Sequence, residues 1–176
     1  MKYIKFLLLA MLLFPVKQYG QLTMFDTKDA YLDYVVDETG FDRQKIVVFN
    51  KENFNTFAVE IVEKELYTFY GIVYNDELIS AAQLDIKSCW GQFLDLCKNL
   101  KYGDSNVQNK KVPDISYLKD ITFNSQKKTV IFIYSLSMGK RHLKKYIKPI
   151  LDKIKDDTAY DYIIIGLDTN NIRETL

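Results

Sequence analysis

Two cysteines, Cys89 and Cys97, are the side chains of this sequence best suited to covalent chemistry. A cysteine thiolate is a nucleophile, and two thiols can form a disulfide and so take part in redox exchange. On one continuous helix, residues at this spacing would hold their Cα atoms about 12 Å apart, whereas a disulfide needs less than about 7 Å. A bridge therefore requires a helix that begins after Cys89, and two free buried thiols are the alternative.

Other residue types that carry catalysis are scarce or lack a useful spacing. His142 is the only histidine, which excludes sites with several histidine ligands, and we interpret it as a solvated helix residue. Four carboxylates show no spacing typical of calcium binding or of paired-acid catalysis: Asp114, Asp120, Asp168 and Glu174. The sequence has no phosphate loop, nucleophile elbow or dinucleotide fingerprint. We therefore expect no catalytic residue, no metal site and no cofactor.

Basic side chains are concentrated in one stretch of the last third: Lys140, Arg141, Lys144, Lys145 and Lys148. Such a run is typical of a solvated helix face, and an anionic partner is the alternative interpretation. The chain as a whole has no strong charge. Without three lysines near the N-terminus, Lys2, Lys5 and Lys17, it has 21 basic and 23 acidic residues. This balance gives no support to nucleic-acid binding.

The hydrophobic pattern around these residues predicts alternating helices and strands. Residues 27–38 are predicted to form a helix that Thr27 caps and Gly40 ends. Residues 45–50 form a predicted buried strand, and Asn50 can cap a second helix. The apolar side chains of that helix recur at spacings of three and four: Phe54, Phe57, Ala58, Ile61, Val62 and Leu66.

A hairpin and a further helix are predicted next. Residues 67–74 are rich in aromatic and β-branched side chains, Asn75 and Asp76 give a turn signal, and residues 78–86 return as a second strand. Helical spacing resumes over residues 90–100. These predictions describe a strand-helix-hairpin-helix region.

A polar connector without periodicity, residues 103–111, separates this region from the last third of the chain. We place the main boundary there, between an N-terminal α/β region of residues 21–103 and a C-terminal region of residues 112–176. The C-terminal region reads as strand, helix and strand, over residues 129–134, 141–155 and 162–167. Two buried strands joined by a helix form a βαβ unit, in which the strands are parallel and the crossover is right-handed.

Three segments of the C-terminal region resemble the thioredoxin-like redoxins. Residues 112–120 are similar to the Pro-Asp-Phe-x-Leu-x-Asp stretch that precedes the first core strand in that family. Residues 129–135 resemble the strand before the redoxin active site. Pro149 lies inside the predicted helix, as a proline does in the active-site helix of thioredoxins. The resemblance covers residues 112–168 and implies an α/β fold with a thioredoxin-like βαβ unit; the alternative is an unrelated βαβ unit of a doubly wound sheet.

The chemistry of that family does not follow from the resemblance, because the thiols are missing. Aligned from the strand, the Cys-x-x-Cys window falls on residues 138–141, and aligned from Pro149 it falls on residues 141–144. Neither window contains cysteine. The family's later helix, cis-proline loop and hairpin also have no counterpart after residue 168. The earlier hairpin can complete the sheet from the other side, or the chain is a truncated remnant of a thiol–disulfide oxidoreductase.

The resemblance also implies an anion site at the start of the active-site helix. The backbone amides around Gly139 would form the positive end of the helix dipole, and Lys140 and Arg141 would reinforce it. We predict weak anion binding there without catalysis. The alternative is that Ser137 caps the helix and water fills the remaining space.

The first residues of the chain have the layout of a secretory signal peptide. Lys2 and Lys5 precede the apolar run of residues 6–14, and Pro15 ends it. This run is shorter than the roughly 20 residues of a membrane-spanning helix. We therefore predict that residues 1–20 are removed, that no membrane span is left afterwards, and that the mature protein is periplasmic or extracellular. An uncleaved membrane anchor or a buried N-terminal strand is the alternative.

These features favour an exported thioredoxin-like module without active-site cysteines that binds a protein partner or joins a larger assembly. A redox protein that uses Cys89 and Cys97 is the second hypothesis, and the truncated remnant is the third.

Overall fold

The computed structural model of the chain describes residues 23–81 and 110–174. The predicted signal peptide, Cys89, Cys97 and the helix predicted over residues 90–100 lie outside these ranges. Within the described ranges, helices and strands form an α/β structure around one mixed sheet of six strands. No helix in these two ranges has the length and apolar character needed to cross a membrane.

The N-terminal part begins with helix α1 (Lys28–Thr39), which confirms the first helix prediction. The side chain of Thr27 accepts a hydrogen bond from the backbone N–H of Ala30 and so caps the helix. Gly40 ends it with a φ of 71°, a left-handed conformation that glycine adopts without strain.

The second strand and helix follow as predicted, but the strand is shorter. Strand β1 (Ile46–Val47) has two residues, and helix α2 (Lys51–Glu63) begins soon after it. The side chain of Asn50 accepts from the N–H of Asn53 and caps α2. Val48 and Phe49 are buried without belonging to a strand. Burial of an apolar run therefore does not guarantee that all of it pairs in a sheet.

The predicted hairpin is formed by β2 (Phe69–Tyr74) and β3 (Glu77–Ser80). Its two turn residues, Asn75 and Asp76, have φ values of 51° and 61°. Positive φ at both positions is typical of the tight turns that match strand twist. A short strand β4 (Lys110–Lys111), formed by the last two residues of the predicted polar connector, pairs antiparallel with β3.

The C-terminal part contains strands β5 (Lys128–Tyr134) and β6 (Tyr160–Gly166), which are adjacent and parallel as predicted. A helical run joins them. It consists of α3 (Gly139–His142), a π-helical turn (Leu143–Ile147) and α4 (Lys148–Ile154). The sequence predicts a helix here but not the π turn, in which the N–H of Lys148 bonds to the carbonyl of Leu143.

The strand order in the sheet is β1-β6-β5-β2-β3-β4. β1, β6 and β5 run parallel, and β2 pairs antiparallel with β5. Strands from both sides of the proposed boundary therefore belong to one sheet. Successive residues of β5 from Thr129 to Tyr134 are all buried, so both faces of the sheet are covered at this strand.

Candidate functional site

The polar groups at the carboxyl ends of β5 and β6 lie together. Ser135 follows β5, and Asp168 lies just beyond β6; both are buried. The Ser135 hydroxyl donates to Asp168 Oδ1 at 2.9 Å, and the backbone N–H of Leu136 donates to Asp168 Oδ2 at 3.0 Å. Parallel strands bring their carboxyl ends to one edge of a sheet, where open α/β proteins bind ligands. This edge is therefore the candidate site.

A third donor reaches the same carboxylate from helix α1. The Tyr31 hydroxyl donates to Asp168 Oδ2 at 3.1 Å, and Tyr31 is fully buried. Gly166 makes this contact possible, because a Cβ at that position would lie 2.5 Å from the Tyr31 hydroxyl oxygen. The site thus combines residues from α1, from the turn after β5 and from the residues that follow β6.

Burial decides the ionisation of this cluster. Loss of water raises the pKa of Asp168 above its usual value, although the donors Leu136, Ser135 and Tyr31 oppose the shift. Burial and the nearby Asp168 carboxylate also raise the pKa of Tyr31. Tyr134, at the end of β5, has its pKa raised to about 12 by burial and then by Asp168 and Glu38. The three hydrogen bonds therefore offset part of the cost of burying the Asp168 carboxylate.

The turn between β5 and α3 is a short 3-10 helix, Leu136–Met138, that Ser135 caps. The Ser135 Oγ accepts from the N–H of Ser137 at 3.2 Å and lies 2.9 Å from the Ser137 hydroxyl. Ser137 itself is exposed. Helix α3 begins at Gly139, whose φ of 70° allows the chain to turn into it. The helix therefore starts within the window of residues 138–141, not within the window of residues 141–144.

The three residues of the predicted anion site lie at this helix start, but one cation is already paired. Lys140 Nζ lies 2.9 Å from Glu38 Oε2 on α1. This hydrogen bond raises the pKa of Lys140. Arg141 is exposed and Gly139 is half-buried. Asp168 also accepts the nearby Leu136 N–H. Anion binding at Gly139, Lys140 and Arg141 stays a prediction.

The basic run extends along the exposed side of the same helical segment. Arg141, Lys144 and Lys145 are exposed, and Lys148 is half-buried. The Lys145 ammonium lies over the ring of Tyr146, 4.9 Å from its centroid. Within the described ranges, the Lys140–Glu38 contact is the one ion pair that involves this basic run.

His142 is more enclosed than the sequence interpretation suggests. Its Nε2 lies 3.1 Å from the hydroxyl of Thr68, a buried residue directly before β2, and its ring lies beside Tyr146. Burial lowers the pKa of His142. The ring therefore connects the basic helix to the sheet and is not a freely solvated side chain.

A second polar cluster joins helix α2, strand β2 and the turn that contains Tyr117. The hydroxyl of Tyr117 donates to Glu60 Oε2, and the hydroxyls of Tyr117 and Tyr70 lie 2.5 Å apart. Lys64 pairs with the same carboxylate. Burial alone would raise the pKa of Glu60, but hydrogen bonds from Lys64 and Tyr117 lower it. Burial raises the pKa of both Tyr70 and Tyr117.

An open cleft of about 720 Å³ adjoins this cluster. Both acidic and basic side chains line it: Glu60, Lys110, Lys111 and Asp114. The cluster stabilises the contact between α2 and the turn that contains Tyr117. We assign no ligand to the cleft.

Sequence reasoning missed the roles of Tyr31 and Asp168. The hydrophobic pattern places Tyr31 on the apolar face of the first predicted helix, and Asp168 has no spacing typical of acid pairs or calcium sites. A signal was present for Asp168, because a carboxylate directly beyond a buried parallel strand belongs to the ligand-binding edge. No signal in the sequence links Glu60 to Tyr117, since their contact depends on how distant elements pack.

The described residues contain no group of three or more His, Cys, Asp and Glu side chains that can hold a metal ion. Comparisons with models of known protein families, with curated proteins and with solved structures found no match.

Proposed function

We propose that this chain is an exported thioredoxin-like module that binds a protein partner and does not use active-site thiols. Two arrangements support the fold part of the proposal. β5 and β6 are parallel and joined by a helix that contains Pro149. The hairpin β2–β3 lies beside β5 on the side away from β6, as expected if an earlier hairpin completes the sheet.

The observation that carries the functional part is the chemistry of the turn between β5 and α3. Its side chains are Ser135, Leu136, Ser137 and Met138, where a redoxin would hold its attacking thiol. A serine hydroxyl does not ionise near neutral pH and forms no disulfide. The turn is nevertheless fixed by Asp168 through Ser135 and Leu136. An ordered turn without a thiol fits a binding role.

The basic helix gives this binding surface its charge. Arg141 and Lys144 are exposed on either side of the start of the π-helical turn, and the half-buried Lys148 follows that turn. Like charges close together repel one another, and an acidic partner removes that repulsion. An acidic protein surface is therefore the partner chemistry that fits this helix.

A titration with a polyglutamate peptide tests the binding surface. We expect measurable binding that weakens as salt is added, because exposed charges are screened. The triple variant Arg141→Glu, Lys144→Glu and Lys148→Glu should weaken it by about tenfold or more. The matched control reverses three exposed lysines elsewhere, Lys51, Lys111 and Lys119. Equal binding by both triple variants would rule out the helix as the binding surface.

An insulin-reduction assay tests the absence of thiol chemistry. With dithiothreitol as the reductant, at a concentration that supports insulin reduction by a thioredoxin control, we expect no turnover by the wild-type protein. Turnover that disappears in Cys89→Ser would instead establish a redox protein based on Cys89 and Cys97, which lie outside the described residues.

Export is tested separately by cell fractionation and N-terminal sequencing of the mature chain. The proposal expects a first residue close to Gln21 in the exported fraction. A protein that keeps Met1 and stays in the cytoplasmic fraction would contradict export. The binding proposal would then still be tested by the peptide titration alone.

A further inference from the structure

The outer edge of strand β6 is only partly covered by its neighbour. β6 has seven residues, but β1 pairs with just two of them, Ile164 and Ile165. The other neighbour, β5, pairs along the whole strand. Within residues 23–81 and 110–174, no strand lies beside Tyr160–Ile163 on the β1 side. Among the described strands, the N-terminal half of β6 is therefore a sheet edge.

The hydrogen-bond pattern shows which amides point to this edge. The N–H of Leu167 donates to Tyr134 beyond β5, and the carbonyl of Ala159 accepts from Lys128 of β5. Backbone groups of successive strand residues alternate in direction. The odd-numbered residues of β6 thus bond to β5, and the amides of Tyr160 and Tyr162 point outwards.

Both outward amides already have local partners. The N–H of Tyr160 donates to the carbonyl of Asp157 at 3.0 Å. The N–H of Tyr162 donates to Asp161 Oδ1 at 2.8 Å, so the side chain of the preceding residue takes the place of a neighbouring strand. Lys45 Nζ lies 2.6 Å from the same Asp161 oxygen, and it also lies over the Tyr162 ring, 5.9 Å from its centroid.

We propose that Asp161, held by Lys45, closes this edge against pairing with a second copy of the chain. An incoming strand needs the Tyr162 N–H, and it can obtain this donor only by displacing a carboxylate that is also ion-paired. A charged side chain at an unpaired edge is a known protection against edge-to-edge association. The occupant to exclude is another copy, because every copy presents the same edge, Tyr160-Asp161-Tyr162-Ile163, whose residues other than Asp161 are aromatic or β-branched and favour strand pairing.

Two substitutions at position 161 separate the hydrogen bond from the charge. Asp161→Ala removes both, whereas Asp161→Asn keeps an oxygen that can accept from the Tyr162 N–H. Sedimentation velocity over a concentration series measures self-association of each full-length variant. We expect Asp161→Ala to associate at concentrations at least about tenfold below those needed by the wild-type protein. We expect Asp161→Asn, which keeps the acceptor but loses the ion pair with Lys45, to associate more than the wild type and less than Asp161→Ala.

A charge control comes from Asp152, an exposed carboxylate paired with Lys155 on α4. Asp152→Ala changes net charge by the same amount and should not promote association. The proposal is wrong if Asp161→Ala associates no more than the wild type, or if Asp152→Ala or Asp161→Asn associates as strongly as Asp161→Ala.

If Asp161→Ala does not fold, a second variant, Lys45→Met, and a measurement of amide hydrogen exchange can still test the proposal. Lys45→Met leaves Asp161 in place but removes its anchor, and we expect association between that of the wild type and that of an open edge. In the wild-type protein, the Tyr162 amide should exchange slowly with solvent, as a hydrogen-bonded amide does. Fast exchange at Tyr162, or Lys45→Met behaviour identical to the wild type, would overturn the role of this pair.

Discussion

The Asp168 carboxylate accepts hydrogen bonds from Tyr31, Ser135 and Leu136, and all of these contacts are at least partly buried. Asp168→Ala would leave these donors without their acceptor, and an unsatisfied buried group costs about 1–3 kcal/mol. Since water can enter at the Leu136 side, we expect a loss of about 2–4 kcal/mol in the free energy of unfolding. Urea denaturation measures it.

Two further variants make this prediction specific. Asp168→Asn keeps one oxygen acceptor and should be less destabilising than Asp168→Ala. Asp120→Ala removes an exposed carboxylate and should change stability by less than about 0.5 kcal/mol. If Asp168→Ala is as mild as Asp120→Ala, the carboxylate does not organise the turn after β5.

His142 makes the free energy of unfolding depend on pH. Burial lowers its pKa below the value of about 6.5 expected in the unfolded chain. Between the lowered folded pKa and the unfolded pKa, the unfolded state binds more protons, so stability rises with pH. This contribution is complete above about pH 6.5 and is lost as pH falls towards the folded pKa.

His142→Gln tests this contribution, because glutamine can still hydrogen-bond to Thr68 but does not titrate. We expect the wild type to lose more stability than His142→Gln when the pH falls from about 8 to about 5. Thermal melts at matched ionic strength measure the difference. Parallel pH profiles would show that His142 does not titrate differently in the folded protein.

The start of helix α3 allows a direct comparison of the two alignments with the redoxins. The helix begins at Gly139, so residues 138 and 141 lie three apart across its first turn. This window spans the start of the helix, where a redoxin holds its two thiols, and a disulfide there would bring the two Cβ atoms to roughly 4 Å. A thiol at a helix N-terminus also has a lowered pKa.

We therefore expect Met138→Cys with Arg141→Cys to form a disulfide and to lower the pKa of the thiol at position 138. The experiment uses a background with Cys89→Ser and Cys97→Ser, and alkylation rates against pH provide the measurement. The control pair is Arg141→Cys with Lys144→Cys, one turn further along, where the dipole effect has weakened. Equal thiol pKa values in both pairs would contradict the helix start at Gly139.

The helix around Pro149 shows which details of secondary structure the sequence predicts and which it does not. The sequence predicts a helix over residues 141–155 that contains Pro149. Proline lacks an N–H and clashes with the preceding turn, which causes a local disturbance of the helix. The structure resolves that disturbance as a π-helical turn, Leu143–Ile147, directly before the segment that contains Pro149. A π turn widens the hydrogen-bond ring by one residue. Periodicity does not reveal such a change, because the apolar face is kept.

Local sequence signals therefore predict the helices, strands and turns better than they predict the residues around Asp168. Thr27, Gly40 and the Asn75-Asp76 turn act through neighbours a few residues away, so the sequence alone identifies them. The site depends on Tyr31 and Asp168, which are 137 positions apart. Their contact is set by which strand lies beside which, and hydrophobic pattern carries little information on that order.

At the scale of the molecule, one sheet joins elements from both halves of the chain. β2 pairs with β5, and β1 pairs with β6. We therefore expect a single unfolding transition, in which far-ultraviolet and near-ultraviolet circular dichroism change at the same urea concentration. Two separated transitions would show that the regions on either side of the polar connector fold independently. A gradual change without a transition would favour the remnant hypothesis.

The first and last described segments are tied to each other. The N–H of Phe25 donates to Asn171, the N–H of Arg173 donates back to Phe25, and Lys28 bonds to Glu174. Strand β1 likewise has only β6 as its partner among the described strands. During synthesis, the segment around Phe25 and strand β1 therefore cannot pair until the C-terminal segments have been made. Long-range pairing of this kind slows folding. A nascent chain that stays unfolded until β6 has been made would be compatible with the proposed export, because only an unfolded chain passes through a narrow translocation channel.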